Sequence, residues 1–114
     1  MANYGSSLDT VFHALGDPTR RAVVQQLVNA PTSVKELAKS FDMALPSFMK
    51  HLAVLEDCGL ITSAKVGRVR TCSLQPERLA AAEGWLSEQR KLWEGRTDRL
   101  AEYVENQLPR EESL

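Results

Sequence analysis

The segment ALPSFMKHLAVLEDCGLI, residues 44–61, carries polar groups at a spacing that could serve in binding. If the segment is a helix, advancing about 100° per residue, one stripe of it is apolar and consists of Phe48, Leu52 and Leu55. The opposite face carries Ser47, Lys50 and Val54, with His51 on the boundary. Because a helix joins a core through its stripe alone, the small, sparsely charged opposite face is free for contact with a ligand.

Basic residues cluster in the middle of the 114-residue chain. Residues 34–73 carry six basic and four acidic groups, whereas residues 74–114 carry six basic and nine acidic groups, within a net charge of −1. Three of the basic residues follow the helical segment closely: Lys65, Arg68 and Arg70. A positive middle followed by a negative tail indicates a local anion-binding face.

The composition, with 43% hydrophobic and 25% charged residues, predicts one globular domain over residues 1–114. No apolar run has the length of a membrane span, and the first residues, MANYGSSLDT, lack the features of a signal peptide. Cys58 and Cys72 form no short-range motif, which indicates a reducing compartment. We therefore expect a cytoplasmic protein that does not contact a membrane.

The apolar spacing predicts four helices before residue 60, over about 7–15, 18–28, 34–41 and 45–57. Asp17 is the expected N-cap of the second helix, with Pro18 in its first turn. Thr32 or Ser33 caps the third helix, and Gly59 ends the fourth. A mainly helical fold follows from this pattern.

After residue 60 the helical spacing of apolar residues ends, and two runs rich in β-branched residues predict a hairpin over about 61–66 and 69–74. Gly67 separates the runs, and Arg68 lies at or beside the tip. From Pro76 a long helix is expected to about residue 108, with one apolar stripe: Leu79, Ala82, Leu86, Trp93, Leu100, Val104 and Leu108. Thirty residues would extend about 45 Å, too far for a small three-helix core to cover.

Three sequence blocks, FHALGDPTRRAVVQQL, SVKELAKSFDMALPSFMKHLAVLEDCGLI and VGRVRTCSL, occur in this order over residues 12–74. Together they resemble the ArsR family of bacterial dimeric transcriptional repressors. The resemblance implies a winged helix-turn-helix, mainly α with a two-stranded β-hairpin wing: four helices, the hairpin and a final helix. The DNA-binding core would be about residues 17–74, and the dimerisation helices about 7–15 and 76–108.

The same resemblance assigns roles to residues. The helix over 34–41 becomes the positioning helix, and the helix over 45–57 becomes the recognition helix, whose N-terminal half enters the major groove of double-stranded DNA. The implied DNA contacts are Ala44, Leu45, Ser47, Lys50, His51, Lys65, Arg68 and Arg70. The implied contacts of a homodimer are Leu8, Phe12, Leu79, Leu86, Trp93, Leu100 and Val104. The family's usual activity is to occupy an operator and block transcription until an inducer weakens binding, and the two-fold symmetry of a dimer implies an inverted-repeat operator.

Several of these residues could make more than one kind of contact. Ser47 and Lys50 can bond base edges or phosphates, and Met43, with Ala44 and Leu45, could touch thymine methyl groups. His51 can bond locally or contact one phosphate. The wing residues Lys65, Arg68 and Arg70 can hold phosphates, with Arg68 also able to enter the minor groove, or they can merely solubilise an exposed strand edge. Arg20 and Arg21 serve either phosphates or a structural salt bridge.

The residues argue against a metal site of the family type. Where thiolate-sensing relatives carry Cys-x-Cys, this chain has Ser33 and Lys35, and its final helix contains no histidine. We expect no cofactor, and any small-molecule inducer is unknown. Trp85 and Trp93 pack in the dimer interface or line a small-molecule pocket between subunits. A thiol switch between Cys58 and Cys72 is less favoured than two small buried side chains.

Two other functional classes are an enzyme and a module that binds proteins. The sequence contains no recognisable nucleophile–base pair, paired carboxylates or phosphate-binding loop, so we predict that the protein is not an enzyme. The alternative is a winged-helix module that binds other proteins without sequence-specific DNA binding. The outward face of the recognition helix, from Ser47 to Val54, contains no acidic residue, which favours DNA.

Overall fold

The computed structural model describes residues 4–107, which form five helices and three strands. In chain order these are α1 (Tyr4–Leu15), α2 (Pro18–Asn29), β1 (Thr32–Ser33), α3 (Val34–Ala38), α4 (Leu45–Asp57), β2 (Ile61–Val66), β3 (Val69–Leu74) and α5 (Pro76–Gln107). The contacts divide the chain into one unit that ends at Ala82 and another that begins at Glu83. None of the helices within residues 4–107 combines the length and the hydropathy needed to cross a bilayer.

The starts of α2 and α3 follow from capping side chains. The Asp17 carboxylate accepts a hydrogen bond from the Arg20 backbone N–H at 3.1 Å, and Ser33 Oγ accepts one from the Glu36 N–H at 3.1 Å. Ser33 is therefore the cap of α3. The Glu36 carboxylate pairs with the Lys39 ammonium at 2.9 Å.

Helix α3 is shorter than the sequence pattern predicts. It ends at Ala38 and not near Phe41, because the next N–H groups bond to carbonyls three residues back. The Ser40 N–H bonds to the Leu37 carbonyl, and the Phe41 N–H bonds to the Ala38 carbonyl. The apolar spacing continues through this tightened turn, so Phe41 still packs against the core.

The predicted hairpin is confirmed with the same strand bounds, and a third strand joins it. The sheet order is β1-β3-β2, all antiparallel, with Thr32 opposite Cys72 and Ser33 opposite Thr71. Strand β1 has only two residues, so no alternation marks it in the sequence. The pairing of β1 with β3, the middle strand of the sheet, fixes the position of the start of α3.

The core of the first unit brings together the helices α1 to α4, the strands β2 and β3 and the first turns of α5. Phe48 and Leu55 of α4, Leu37 of α3 and Ile61 of β2 are almost completely buried. The buried apolar residues are Val11, Ala14, Val23, Val24, Leu27, Leu37, Phe48, Leu52, Leu55, Cys58, Leu60, Ile61, Cys72 and Ala82. Both cysteines are free and buried, as the sequence predicts for small apolar side chains.

The residues that we assigned to the dimer interface fall into two groups. Phe12 and Leu79 already pack partly against the core of their own chain, and Leu8 is half-buried. The other four are exposed side chains of α5 in the second unit: Leu86, Trp93, Leu100 and Val104. Leu108, the last residue of the predicted stripe, lies outside the described residues.

Glycines shape the two turns that frame the wing. Gly59, after α4, has φ +81°, and Gly67, between β2 and β3, has φ +63°. Both angles lie in the left-handed region, which costs an L-residue about 1–2 kcal/mol. A Cβ at Gly59 would also lie 2.9 Å from Arg78 Nε, whereas a Cβ at Gly67 would meet nothing within 4 Å.

We predict that Gly59→Ala lowers the free energy of unfolding by about 2 kcal/mol or more, because the substitution adds a steric clash to the backbone strain. Gly67→Ala is the matched control, since it introduces similar strain without a clash, and should cost about 1 kcal/mol. Urea unfolding at one protein concentration measures both. Equal losses would show that Arg78 imposes no constraint at Gly59.

Candidate nucleic-acid interface

The orientation of α4 is set by its buried stripe. Phe48, Leu52 and Leu55 are buried as predicted, and the Phe48 ring lies 5.1 Å from the Phe41 ring, centroid to centroid. Helix α4 packs against α1, α2 and β2. These contacts determine which residues of α4 face outwards.

The outward face of α4 agrees with the sequence pattern except at one position. Ser47 and Lys50 are exposed, as predicted. The prediction for Val54 was wrong, because this side chain packs against the core. Neighbouring elements cover an arc of α4 that is wider than one stripe. Met49 and Ala53 are exposed in its place.

The start of α4 favours an anion electrostatically. Ala44, the N-cap residue, offers no side-chain acceptor, and the first turn contains no acidic residue. The positive end of the helix dipole is therefore not neutralised by the helix's own side chains. Ala44 and Leu45 are exposed here, whereas Met43 packs partly against the core and is a weaker candidate for a methyl contact.

A polar cluster joins α4 to the end of α1 and the start of α2. Arg20 Nη1 lies 3.1 Å from His51 Nδ1, and the Asp17 Oδ2 atom lies 3.7 Å from the same nitrogen. Because a guanidinium can only donate, Nδ1 is the acceptor of this hydrogen bond. The local bond expected of His51 is thus present. Any phosphate contact would use Nε2.

Arg20 and Arg21 bind backbone carbonyls at the end of α1. Arg20 donates to the Ala14 carbonyl at 2.7 Å and to the His13 carbonyl at 3.2 Å, while Arg21 donates to the Leu15 carbonyl at 2.8 Å. The sequence left phosphates and a salt bridge open for these arginines. The structure shows a further role, because both guanidinium groups satisfy carbonyls that the end of a helix leaves free.

The same cluster lowers the pKa of the Asp17 carboxylate. The backbone hydrogen bond from Arg20 lowers its pKa below the ordinary value of 3.8, against a smaller opposing effect of burial. The positive charge of Arg20 lowers the pKa further. The ionised form of Asp17 is therefore favoured in the folded protein.

A second polar chain joins the wing to the last turn of α4. Arg70 Nη1 donates to Ser63 Oγ at 3.0 Å, and the Ser63 hydroxyl donates to Glu56 Oε1 at 3.0 Å. Arg70 remains exposed, as do Lys65, which lies opposite it in the hairpin register, and Arg68 at the tip. The roles of Glu56 and Ser63 in holding Arg70 could not be predicted from the sequence, because no local pattern links a helix terminus to a strand.

Beneath this chain lies the thiol of Cys72. Burial raises the pKa of Cys72, and the negative charge of Glu56 raises it further. The thiol of Cys58 donates to the Leu55 carbonyl at 3.3 Å. Since the thiolate is the reactive and metal-binding form, a raised pKa disfavours both roles for Cys72.

The positions that carry the family's thiolate ligands have other roles here. Ser33 caps α3, and Lys35 is exposed beside it. Within residues 4–107, no group of three or more His, Cys, Asp or Glu side chains is placed to hold a metal ion. The absence of a metal site stays a prediction.

The comparisons with known proteins agree with this geometry. A family model described as a helix-turn-helix domain matches residues 15–64. The HTH-type transcriptional regulator Rv2034 of Mycobacterium tuberculosis is 38% identical over 71% of this chain and 75% of its own length. The transcriptional repressor SdpR of Bacillus subtilis is 28% identical over 69% of this chain and 88% of its own length. A crystal structure of an ArsR family transcriptional regulator is 57% identical, with a TM-score of 0.77, over 82% of this chain and 97% of that one.

The chain belongs to the ArsR family of transcriptional regulators. The family resemblance seen in the sequence is thereby confirmed, as is the winged helix-turn-helix fold. As an ArsR-family member the protein is a DNA-binding regulator of transcription, and its relatives form a non-enzyme class. The helix-turn-helix match includes Ser47, Lys50 and His51 but ends before the wing residues Lys65 and Arg68.

We predict that Arg20→Ala lowers the free energy of unfolding by about 2–3 kcal/mol, because it removes three hydrogen bonds from a charged donor at a half-buried site. Arg21→Ala is the matched control and should cost less than about 1 kcal/mol, since it removes one exposed bond. Urea unfolding of both variants provides the measurement. Equal costs would contradict a special role for Arg20 at the junction.

We also predict a pH dependence that involves Asp17. Because its folded-state pKa is depressed, its contribution is complete above the unfolded-state pKa and is lost as pH falls through the folded-state pKa. The urea midpoint should therefore fall further from pH 6 to pH 2.5 in the native protein than in Asp17→Asn, whose amide can keep the cap but carries no charge. Asp9→Asn, at an exposed position of α1, is the control. A native-sized fall in Asp17→Asn would refute the assignment.

Proposed function

We propose that the protein is a homodimeric repressor that binds an inverted-repeat operator without sensing metal. The observation that carries this proposal is the exposed face of α4 around Ser47 and Lys50. From Ala44 to Leu55 the chain contains no acidic residue, and the wing beside it presents exposed cations. DNA is the polyanion that such a face fits, because phosphate neutralisation supplies much of the affinity of DNA-binding proteins.

The residues divide by the kind of contact that they can make. Ser47 and Lys50 lie where the first half of α4 would meet base edges, and Ala44 with Leu45 can contact thymine methyl groups. Lys65, Arg68 and Arg70 supply phosphate contacts, with Arg68 at the tip able to reach the minor groove. Arg70 does so while held by Ser63, which leaves its other donors for a phosphate. His51 adds one contact through Nε2.

The exposed apolar residues of α5 support a homodimer. Leu86, Trp93, Leu100 and Val104 advance along one stripe, and Trp93 is 65% exposed. A second copy of the chain would cover this stripe, together with Leu8, Phe12 and Leu79 at the ends of the predicted dimerisation helices. Two-fold symmetry would then place two α4 helices in successive major grooves, about 34 Å apart. Residues 1–114 would act as one dimerising domain.

Metal-independent action is supported by the chemistry at the start of α3. A hydroxyl that caps the helix and an ammonium group replace the two thiolates of thiolate-sensing relatives, and an ammonium group repels a cation. Repression would therefore be relieved by another type of signal.

We predict that Lys50→Ala weakens binding to the selected inverted repeat by about tenfold to a hundredfold, with a smaller effect on unrelated DNA, because a base contact is worth about 1–3 kcal/mol. Arg68→Ala should weaken both DNAs similarly and lower the salt dependence of log Kd by about one unit, as expected for a phosphate contact.

Fluorescence anisotropy over a series of salt concentrations measures these effects. Lys91→Ala, an exposed lysine of α5, is the matched control and should bind like the native protein. Unchanged affinity in both Lys50→Ala and Arg68→Ala would refute this interface. A folded protein without salt-dependent DNA affinity would favour a protein-docking module.

A further inference from the structure

A groove of about 400 Å³ lies between α3, the first residue of α4 and the wing. Its apolar lining comes from Val34, Ala38, Leu45 and Val69. The volume lies in the range of small-molecule sites, about 300–1,000 Å³, whose walls are mostly apolar with a few placed polar groups. The whole lining belongs to the first unit, so a single chain forms the groove.

The charged groups of the groove all have one sign. Within residues 4–107, Lys35, Arg68 and Arg70 line it and no acidic residue does. In the same range the Arg68 side chain makes no hydrogen bond or ion pair. The Glu36 carboxylate beside Lys35 is already bonded to Lys39. Arg70 is linked to the Glu56 carboxylate through Ser63, so Lys35 and Arg68 contribute most of the positive potential that the groove offers to an anion.

The apolar lining distinguishes this groove from a simple phosphate contact. Leu45 is 56% exposed and Val69 is 52% exposed, although both are large apolar side chains. DNA would use the cations through its phosphates and Leu45 through a thymine methyl group, but it would leave Val34 and Val69 without an apolar partner. An anion with an apolar body would satisfy both features, because its carboxylate can accept paired hydrogen bonds from a guanidinium while its body covers the valines and the leucine.

We propose that the groove binds a small amphipathic carboxylate and that this ligand displaces DNA. The second part rests on the proposed function, because Leu45, Arg68 and Arg70 are also proposed DNA contacts. One groove cannot serve both partners at once, so the carboxylate acts as an inducer by direct competition. No change of the helical framework is needed.

The test begins with DNA-free protein and octanoate, followed by calorimetry or by NMR of the backbone amides. We expect octanoate to bind at least about tenfold more tightly than octan-1-ol, which lacks the charge, and than inorganic phosphate, which lacks the apolar body. NMR shifts should centre on residues 33–38 and 68–70. Equal binding of phosphate or of octanol would overturn the proposal, as would no octanoate binding at millimolar concentration.

Variants on the two strands of the hairpin, β2 and β3, locate the site. Val69→Ser should weaken octanoate binding about fivefold or more, and Arg68→Gln should do the same by removing the guanidinium. Val66→Ser is the matched control, because Val66 lies directly opposite Val69 in the register, is 78% exposed and does not line the groove. Equal weakening by Val66→Ser and Val69→Ser would contradict the assignment.

Competition is then measured on the protein–DNA complex, with sodium chloride matched to the octanoate concentration because DNA affinity depends on salt. Octanoate should release DNA from the native protein and from Val66→Ser, whereas Val69→Ser should bind DNA normally and release it only at higher octanoate concentration. Octanoate binding without DNA release would overturn the inducer role. Octanoate binding by a protein without DNA affinity would support the groove and refute the proposed function.

Discussion

The burial of one stripe of α4 is the constraint on which the rest of the structure depends. The large apolar side chains of Phe48, Leu52 and Leu55 are buried, and the burial of each stabilises the fold by about 1.5–3 kcal/mol. Turning the helix by one residue, about 100°, would expose this stripe and bring Lys50 towards the core without a partner. The packing therefore determines which residues face outwards, and the proposed DNA contacts of α4 lie on the face that remains.

Polar contacts at the middle and at the last turn of α4 add to the packing of its stripe. In the middle of the helix, His51 contacts Arg20, which also donates to carbonyls at the end of α1. In its last turn, Glu56 is joined through Ser63 to Arg70 of the wing. The helix and the wing are thus connected by hydrogen bonds outside the core. The groove proposed to bind an anion lies between the wing, α3 and the first residue of α4.

The sequence predicted those features that depend on neighbouring residues. The N-cap at Asp17, the glycine turns at 59 and 67, and the bounds of both hairpin strands follow from local chemistry and are confirmed. Features that join distant segments were missed, since no spacing encodes them. Strand β1 pairs with residues about 40 positions away, and the contact between Arg20 and His51 spans 31 positions. Val54 was misplaced for the same reason, because its burial depends on how neighbouring elements surround α4.

Selection of bound sequences from random duplex DNA, with purified protein and a chelator present, tests whether the protein recognises DNA as a metal-independent dimer. We expect enrichment of one inverted repeat whose half-site centres lie about one helical turn apart, bound by two copies of the chain. A folded protein that enriches no sequence, or that does so only when metal is supplied, would contradict a metal-independent, sequence-specific dimer.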